Sequence, residues 1–172
     1  MTKKKIIFFD ADGTLWYPIK TKHTVLPHWL YLDKSIKDKH PHLTLIPTVK
    51  NTLRKLKRLG IVTVILSTHP HEKEEAYRLL NKKVKYFKLE ELFTEVHATR
   101  EYHASKGEYI TEILKRLNIP KTKALIVGDN YKYDYKPAKM IGVDAVLIQS
   151  DYMKKDKRIK TIQNVSDILN FI

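Results

Sequence analysis

The stretch KIIFFDADGTLW, residues 5–16, sets Asp10 and Asp12 directly after an apolar run and directly before Gly13 and Thr14. Other apolar runs end in polar groups too. VTVILSTHP closes on Ser67 and Thr68, LIVGDNYKYD closes on Gly128 and Asp129 with Asp134 soon after, and Lys106 falls between them in SKGEYITEIL. Carboxylates brought close together repel one another and call for a cation. Oxygen donors with no thiolate among them select a hard ion, and Mg2+ typically takes one or two carboxylates together with a substrate phosphate. A carboxylate can also attack phosphorus and form an acyl-phosphate. A second one close by can give a proton to the leaving group and later take one from water. A serine hydroxyl and a lysine ammonium can hold phosphoryl oxygens as charge develops, and Gly13 permits a tight turn and close backbone approach. Together these residues describe Mg2+-dependent phosphoryl transfer through an aspartyl-phosphate.

Each group also has a plainer role. Asp12-Gly13 alone is turn chemistry. Ser67-Thr68 could cap the helix that follows, and an isolated lysine is normally solvated. The joint pattern outweighs these readings: acids follow two separate apolar runs, a hydroxyl follows a third, and a lysine opens a helix between them.

The elements that must position these groups alternate between strand and helix. Lys5–Phe9 is a short continuous apolar run, as in a strand buried on both faces, and Ile61–Leu66, Ala124–Val127 and Ala145–Ile148 read as further buried strands. Pro47 opens a helix whose apolar positions are Val49, Leu53, Leu56 and Leu59, and Gly60 ends it. Glu72–Leu80 reads as helix, and residues 84–99 mix helical and strand signals. Ser105 and Glu108 form a capping box for a helix with Ile110, Ile113, Leu114 and Leu117 on its apolar face. Lys136–Ile141 is a short helix closed by Gly142, and Val165–Ile172 a final one. Residues 17–45 are irregular, with three prolines, four histidines (His23, His28, His40 and His42) and room for a short helix within Leu26–Ile36. The fold class is therefore α/β: a parallel sheet in a three-layer α/β/α Rossmann-like sandwich, read as one domain over residues 1–172 with a small flap or cap insertion at 17–45. In such folds ligands bind beyond the carboxyl ends of the strands, which is where Asp10, Asp12, Ser67 and Asp129 fall.

Composition narrows the class further. The chain has 172 residues, is 42% hydrophobic and contains no cysteine, which excludes disulfides and thiolate metal sites and fits a cytoplasmic protein. No apolar run approaches the roughly 18 residues of a membrane span, and MTKKKIIFFD reads as a first strand rather than a signal peptide. The net charge of +14 suits a polyanionic partner such as nucleic acid, or simply a soluble lysine-rich chain. No metal-ligand spacing such as HExxH involves the histidines.

At the level of motifs the sequence resembles the haloacid dehalogenase superfamily of phosphohydrolases. FFDADGTLW is similar to its DxDGT motif, VTVILSTHP to its strand ending in Ser or Thr, SKGEYITEILKRLNI to its lysine motif, and LIVGDNYKYD to GDxxxxD. The resemblance implies a phosphoric monoester hydrolase in which Asp10 is the nucleophile and Asp12 the general acid/base. It implies Mg2+ held by Asp10, Asp129 and the backbone carbonyl of Asp12, with Asp134 supporting the metal or holding Lys106. Ser67 and Lys106 would bind the phosphoryl group, with Thr68 competing with Ser67, and Gly13 and Thr14 would also meet the substrate phosphate. Trp16 favours the magnesium-dependent phosphatase-1 type, whose small cap leaves the crevice open to a phosphorylated small molecule or a phosphoprotein. Two alternatives stay open. One is a polynucleotide 3'-phosphatase, for which KSIKDKH, KKDKRIK, Tyr131, Tyr133 and Tyr152 speak. The other is a non-catalytic phosphoacceptor or binding domain.

Overall fold

The computed structural model describes residues 3–69, 71–100, 105–153 and 156–172. Its centre is β1 (Ile6–Phe9), whose side chains are all buried. β1 pairs in parallel with β4 (Val62–His69) on one side and β6 (Ala124–Gly128) on the other. With β5 (Glu95–Arg100), β7 (Asp144–Ile148) and β8 (Thr161–Ile162) the strands form a six-stranded sheet in the order β5-β4-β1-β6-β7-β8. Every pairing in it is parallel, and the connections from β1 to β4, β4 to β5, β5 to β6 and β6 to β7 carry helical structure onto the sheet faces.

The period-two alternation of β1 divides the core. Ile7 and Phe9 face one apolar cluster with Leu53 and Leu56 of α2 (Val49–Arg58) and Leu80 and Val84 of α3 (Lys73–Tyr86). Ile6 and Phe8 face the other, with Ile110, Ile113 and Leu114 of α4 (Lys106–Arg116) and Ala138 of α5 (Lys136–Met140). This is the expected three-layer α/β/α arrangement. Among the described residues no helix is long and apolar enough to cross a membrane.

Three elements differ from the sequence reading. α3 continues to Tyr86 instead of ending at Leu80, because Ala76, Leu80 and Val84 extend one buried stripe at helical spacing. The last segment, Val165–Phe171, is a 3₁₀ helix. Val165, Ile168 and Phe171 recur every third residue and pack on the same cluster, which matches three residues per turn. The insertion is not wholly irregular: β2 (Trp16–Pro18) and β3 (Leu43–Leu45) pair as an antiparallel ribbon, while the short helix expected within Leu26–Ile36 is present between them as α1 (Trp29–Leu32). Trp16 roots the ribbon by stacking on Phe87 at 5.4 Å.

Candidate active site

The register explains why distant acids meet. Phe9 stands opposite Ile65 on one side and Val127 on the other, so the residues that follow leave the sheet along one edge. The N–H of Asp10 still donates to the Val127 carbonyl at 2.9 Å. Carboxylate oxygens of Asp10, Asp129 and Asp134 lie within 4.8 Å of one another, and all three residues are buried.

Asp134 comes from a π-helical turn, Tyr131–Tyr135, between β6 and α5. Such turns are rare and often mark functional positions. Asn130 starts it, its side chain accepting from the N–H groups of Lys132 and Tyr133, while its own N–H donates to Oδ2 of Asp134 at 2.9 Å. The turn presses Asp134 against Gly128, where a Cβ would lie 2.2 Å from the carboxyl carbon. The glycine of the GD pair is thus set by the acid that follows it.

Among the described residues, one cation compensates the cluster. Lys106 opens α4, whose first turn is capped by Ser105 accepting from the N–H of Glu108. Its ammonium is buried and donates to Oδ1 of Asp10 and, at 2.5 Å, to Oδ1 of Asp134. Burial alone would lower the Lys106 pKa, but Asp10 and Asp134 together push it up. Burial pushes Asp10 up to about 7, Lys106 pulls it down, and Asp134 raises it again. Asp129 is raised well above the usual carboxylate range, first by burial and then by Asp10 and Asp134. It accepts a hydrogen bond from the Tyr152 hydroxyl at 2.6 Å. Among the described residues, one lysine against three buried carboxylates leaves negative charge unneutralised, and all the donors are hard oxygens. That set fits a hard divalent cation such as Mg2+.

Asp12 lies outside this cluster. Its Oδ1 accepts from Trp16 Nε1 at 2.7 Å and from the Tyr31 hydroxyl, and its Oδ2 accepts from Lys83 Nζ at 3.1 Å. Lys83 and Tyr31 were not singled out by the sequence. Lys83 sits in the part of α3 beyond Leu80, and the spacing of Ala76, Leu80 and Val84 was the signal that could have placed it beside the buried face. Tyr31 lies on α1 in the insertion, where no periodicity pointed to it.

The acids open onto a cavity of about 980 Å³ whose wall includes Asp10, Asp12, Ser67, Thr68, Lys106 and Asp129. Ser67 is buried, and Thr68 accepts from the Thr99 hydroxyl at 3.5 Å. Gly13 and Thr14 are not part of the wall. Thr14 is fully buried, and its N–H donates to the Ala11 carbonyl at 3.2 Å. Of the insertion histidines, His28 and His40 line the cavity. His23 instead donates from Nε2 to the Gly13 carbonyl at 3.0 Å and stacks on Tyr17, bracing the loop after β1. His69, on the same wall, is lowered to about 4 by burial and then by the charge of Lys83, so it is neutral at neutral pH.

Comparison with known proteins agrees with this architecture. No curated protein sequence matches the chain. Among solved structures it is similar to a predicted phosphoglycolate phosphatase from Haemophilus somnus 129pt, with TM-score 0.72 and 16% identity, covering 99% of this chain and 98% of that one. It is also similar to an uncharacterized protein from Listeria monocytogenes serotype 4b, with TM-score 0.66, 22% identity and coverage of 96% and 95%. A 2-haloacid dehalogenase from Pseudomonas syringae pv. Tomato DC3000 gives TM-score 0.68 at 17% identity, with coverage of 98% and 97%. At such identities these likenesses speak for the fold. The family model of the haloacid dehalogenase-like hydrolases matches residues 17–148, most of the length. The chain is a member of the haloacid dehalogenase-like hydrolase family.

Proposed function

We propose that this hydrolase is a phosphatase that cleaves phosphomonoesters through an aspartyl-phosphate on Asp10, with Mg2+ held by Asp10, Asp129 and the backbone carbonyl of Asp12. The observation that carries the reading is the cluster of buried carboxylates beside Lys106 at the mouth of the cavity. Asp134, which lies in the same cluster, holds Lys106 and supports the metal from behind. When bound, the ion supplies positive charge that neutralises the acids and draws charge from the phosphoryl oxygens.

The chain's own residues account for the remaining chemistry. A carboxylate oxygen of Asp10 forms a bond to phosphorus as the ester P–O bond breaks, and Asp12 gives its proton to the departing alkoxide. Water then attacks the acyl-phosphate, Asp12 takes the proton from that water, and the bond between phosphorus and Asp10 breaks to release phosphate. Ser67, with Thr68 next to it, and Lys106 hold phosphoryl oxygens through donors that are already in place. Gly13 and Thr14 act through the shape of the loop they form.

A cavity of about 980 Å³ exceeds what a phosphoryl group alone needs. That size supports a substrate with a bulky remainder, either a phosphorylated small molecule or a phosphoprotein. The test is hydrolysis of p-nitrophenyl phosphate by wild type and Asp10→Asn, each with Mg2+ and with EDTA. Metal-dependent turnover that disappears in the variant is expected. Full activity in Asp10→Asn would overturn the covalent route, and stable phosphorylation by acetyl phosphate without turnover would favour a phosphoacceptor.

A further inference from the structure

We propose that Lys83 and Tyr31 are positioning residues for Asp12, and that their clamp leaves Oδ2 of Asp12 as the oxygen that exchanges the proton. The inference rests on the reading of Asp12 as general acid and base.

The clamp draws on three separate parts of the chain. Trp16 belongs to β2, Tyr31 to α1 in the insertion, and Lys83 to α3. Besides its contacts to Asp12, Lys83 donates to the Tyr31 hydroxyl at 2.7 Å and lies 4.2 Å from the centre of the Tyr31 ring. The ammonium also lies 5.9 Å from the centre of the Trp16 ring. The side chain is only 8% exposed, and among the described residues its ion-pair partner is Asp12. A lysine is rarely buried without such a partner. Phe87 backs Trp16 by stacking, so the clamp has a rigid wall behind it.

Lone-pair accounting then separates the two carboxylate oxygens. Oδ1 receives Trp16 Nε1 and the Tyr31 hydroxyl, which fills both of its acceptor directions. Among the described residues Oδ2 receives only Lys83 at 3.1 Å, since the contact of Lys83 to Oδ1 is the longer one at 3.4 Å. One acceptor direction therefore stays free on Oδ2, and Asp12 borders the cavity. A proton carried there can pass to a leaving alkoxide, and the vacated direction can accept one from water.

Such a role reads out through the leaving group. p-Nitrophenyl phosphate releases an alcohol that departs without protonation. p-Nitrobenzyl phosphate, of nearly the same size, releases a much weaker acid that needs a proton. The quantity to compare is kcat/KM, which covers the steps up to alcohol release. Lys83→Ala is expected to lower kcat/KM for the benzyl ester by about 100-fold and to lower it for the phenyl ester by no more than about threefold, in line with the usual worth of a positioned acid. Lys83→Arg should recover part of the difference. Tyr31→Phe, which keeps the ring over Lys83, should show the same ester selectivity more weakly. In an Asp12→Ala background Lys83→Ala should add nothing.

Equal losses on both esters, a change confined to KM, or a further loss in the Asp12→Ala background would each overturn the inference. If Lys83→Ala does not fold, Tyr31→Phe decides, and unselective kinetics there overturn it. Wild type that turns over neither ester and is not phosphorylated by acetyl phosphate overturns the underlying function instead, and the two failures are thereby distinct.

Discussion

Oδ2 of Asp129 occupies the place where a side chain on Gly13 would begin. A Cβ built on Gly13 would stand 2.1 Å from that oxygen and 2.9 Å from the Tyr152 hydroxyl that holds it. Gly13 also has φ +81°, a region other residues enter at a cost of about 1–2 kcal/mol. The loop after β1 and the end of β6 are therefore fitted to one another at the backbone.

Gly13→Ala is expected to displace Asp129, lowering activity by on the order of 100-fold while the circular dichroism spectrum is kept. Gly142→Ala is the control. It carries a similar φ of +79° with nothing within 4 Å of the added carbon, so it bears the strain without touching the site. Comparable kinetic losses in both variants would show that strain, not the fit to Asp129, is responsible.

Lys106→Ala removes the only cation that touches Asp10 and Asp134 among the described residues. Two buried carboxylates then lose their partner, at a cost of about 3–5 kcal/mol in urea-monitored unfolding, together with loss of activity. Adding Asp134→Asn should return part of that stability, because one of the orphaned charges is gone. A double variant no more stable than Lys106→Ala would contradict the pairing.

The raised acids give a definite pH dependence. Asp10 has its pKa raised by burial from 3.8 to about 7, so in the metal-free protein the folded state holds a proton that the unfolded chain has released. Its contribution to stability is complete below about pH 4 and is lost as pH rises through about 7. Asp129 shifts in the same direction. His69, lowered to about 4, works the other way: its contribution is present above pH 6.5 and lost as pH falls through about 4. Mg2+ needs the ionised acids, so the rise in melting temperature on adding it should be small at pH 5 and grow through pH 7. A rise independent of pH would argue against binding at these carboxylates.

Salt separates the substrate classes. For a phosphorylated small molecule, the apparent affinity should change little between about 50 and 200 mM salt. For a nucleic-acid end read through the +14 charge, it should fall by orders of magnitude over the same range. Measuring KM for a small phosphomonoester and for a 3'-phosphorylated oligonucleotide across that range decides which class the site serves.

Much of this arrangement was legible in the sequence, for identifiable reasons. β1 and β6 are buried on both faces and appear as unbroken apolar runs, β4 as a run interrupted by Thr63, and the polar residue ending each run marks the same sheet edge. Lys106 was visible through the cap that opens its helix. The partners of Asp12 and Asp129 were hidden. Lys83 falls between the segments that the sequence reading assigns, and the path of α3 past the site turns it inward, 71 residues from Asp12. Tyr31 lies in a segment without periodicity, and Tyr152 reaches Asp129 across 23 residues from a basic stretch. Contacts of that kind follow from tertiary structure, and of these residues Lys83 alone has a local trace, in the stripe of Ala76, Leu80 and Val84.

The central place of β1 bears on how the molecule is made. It leaves the ribosome before either of its two neighbours, residues 62–65 and 124–127. A nascent chain that stops short of β6 leaves its most apolar strand open along one edge, which invites pairing with other chains. The same chain has Asp10 but lacks Asp129, Asp134 and Tyr152. The proposed chemistry at Asp10 therefore waits for residues 129–152, and an incomplete product of synthesis carries the proposed nucleophile without the groups that would serve it.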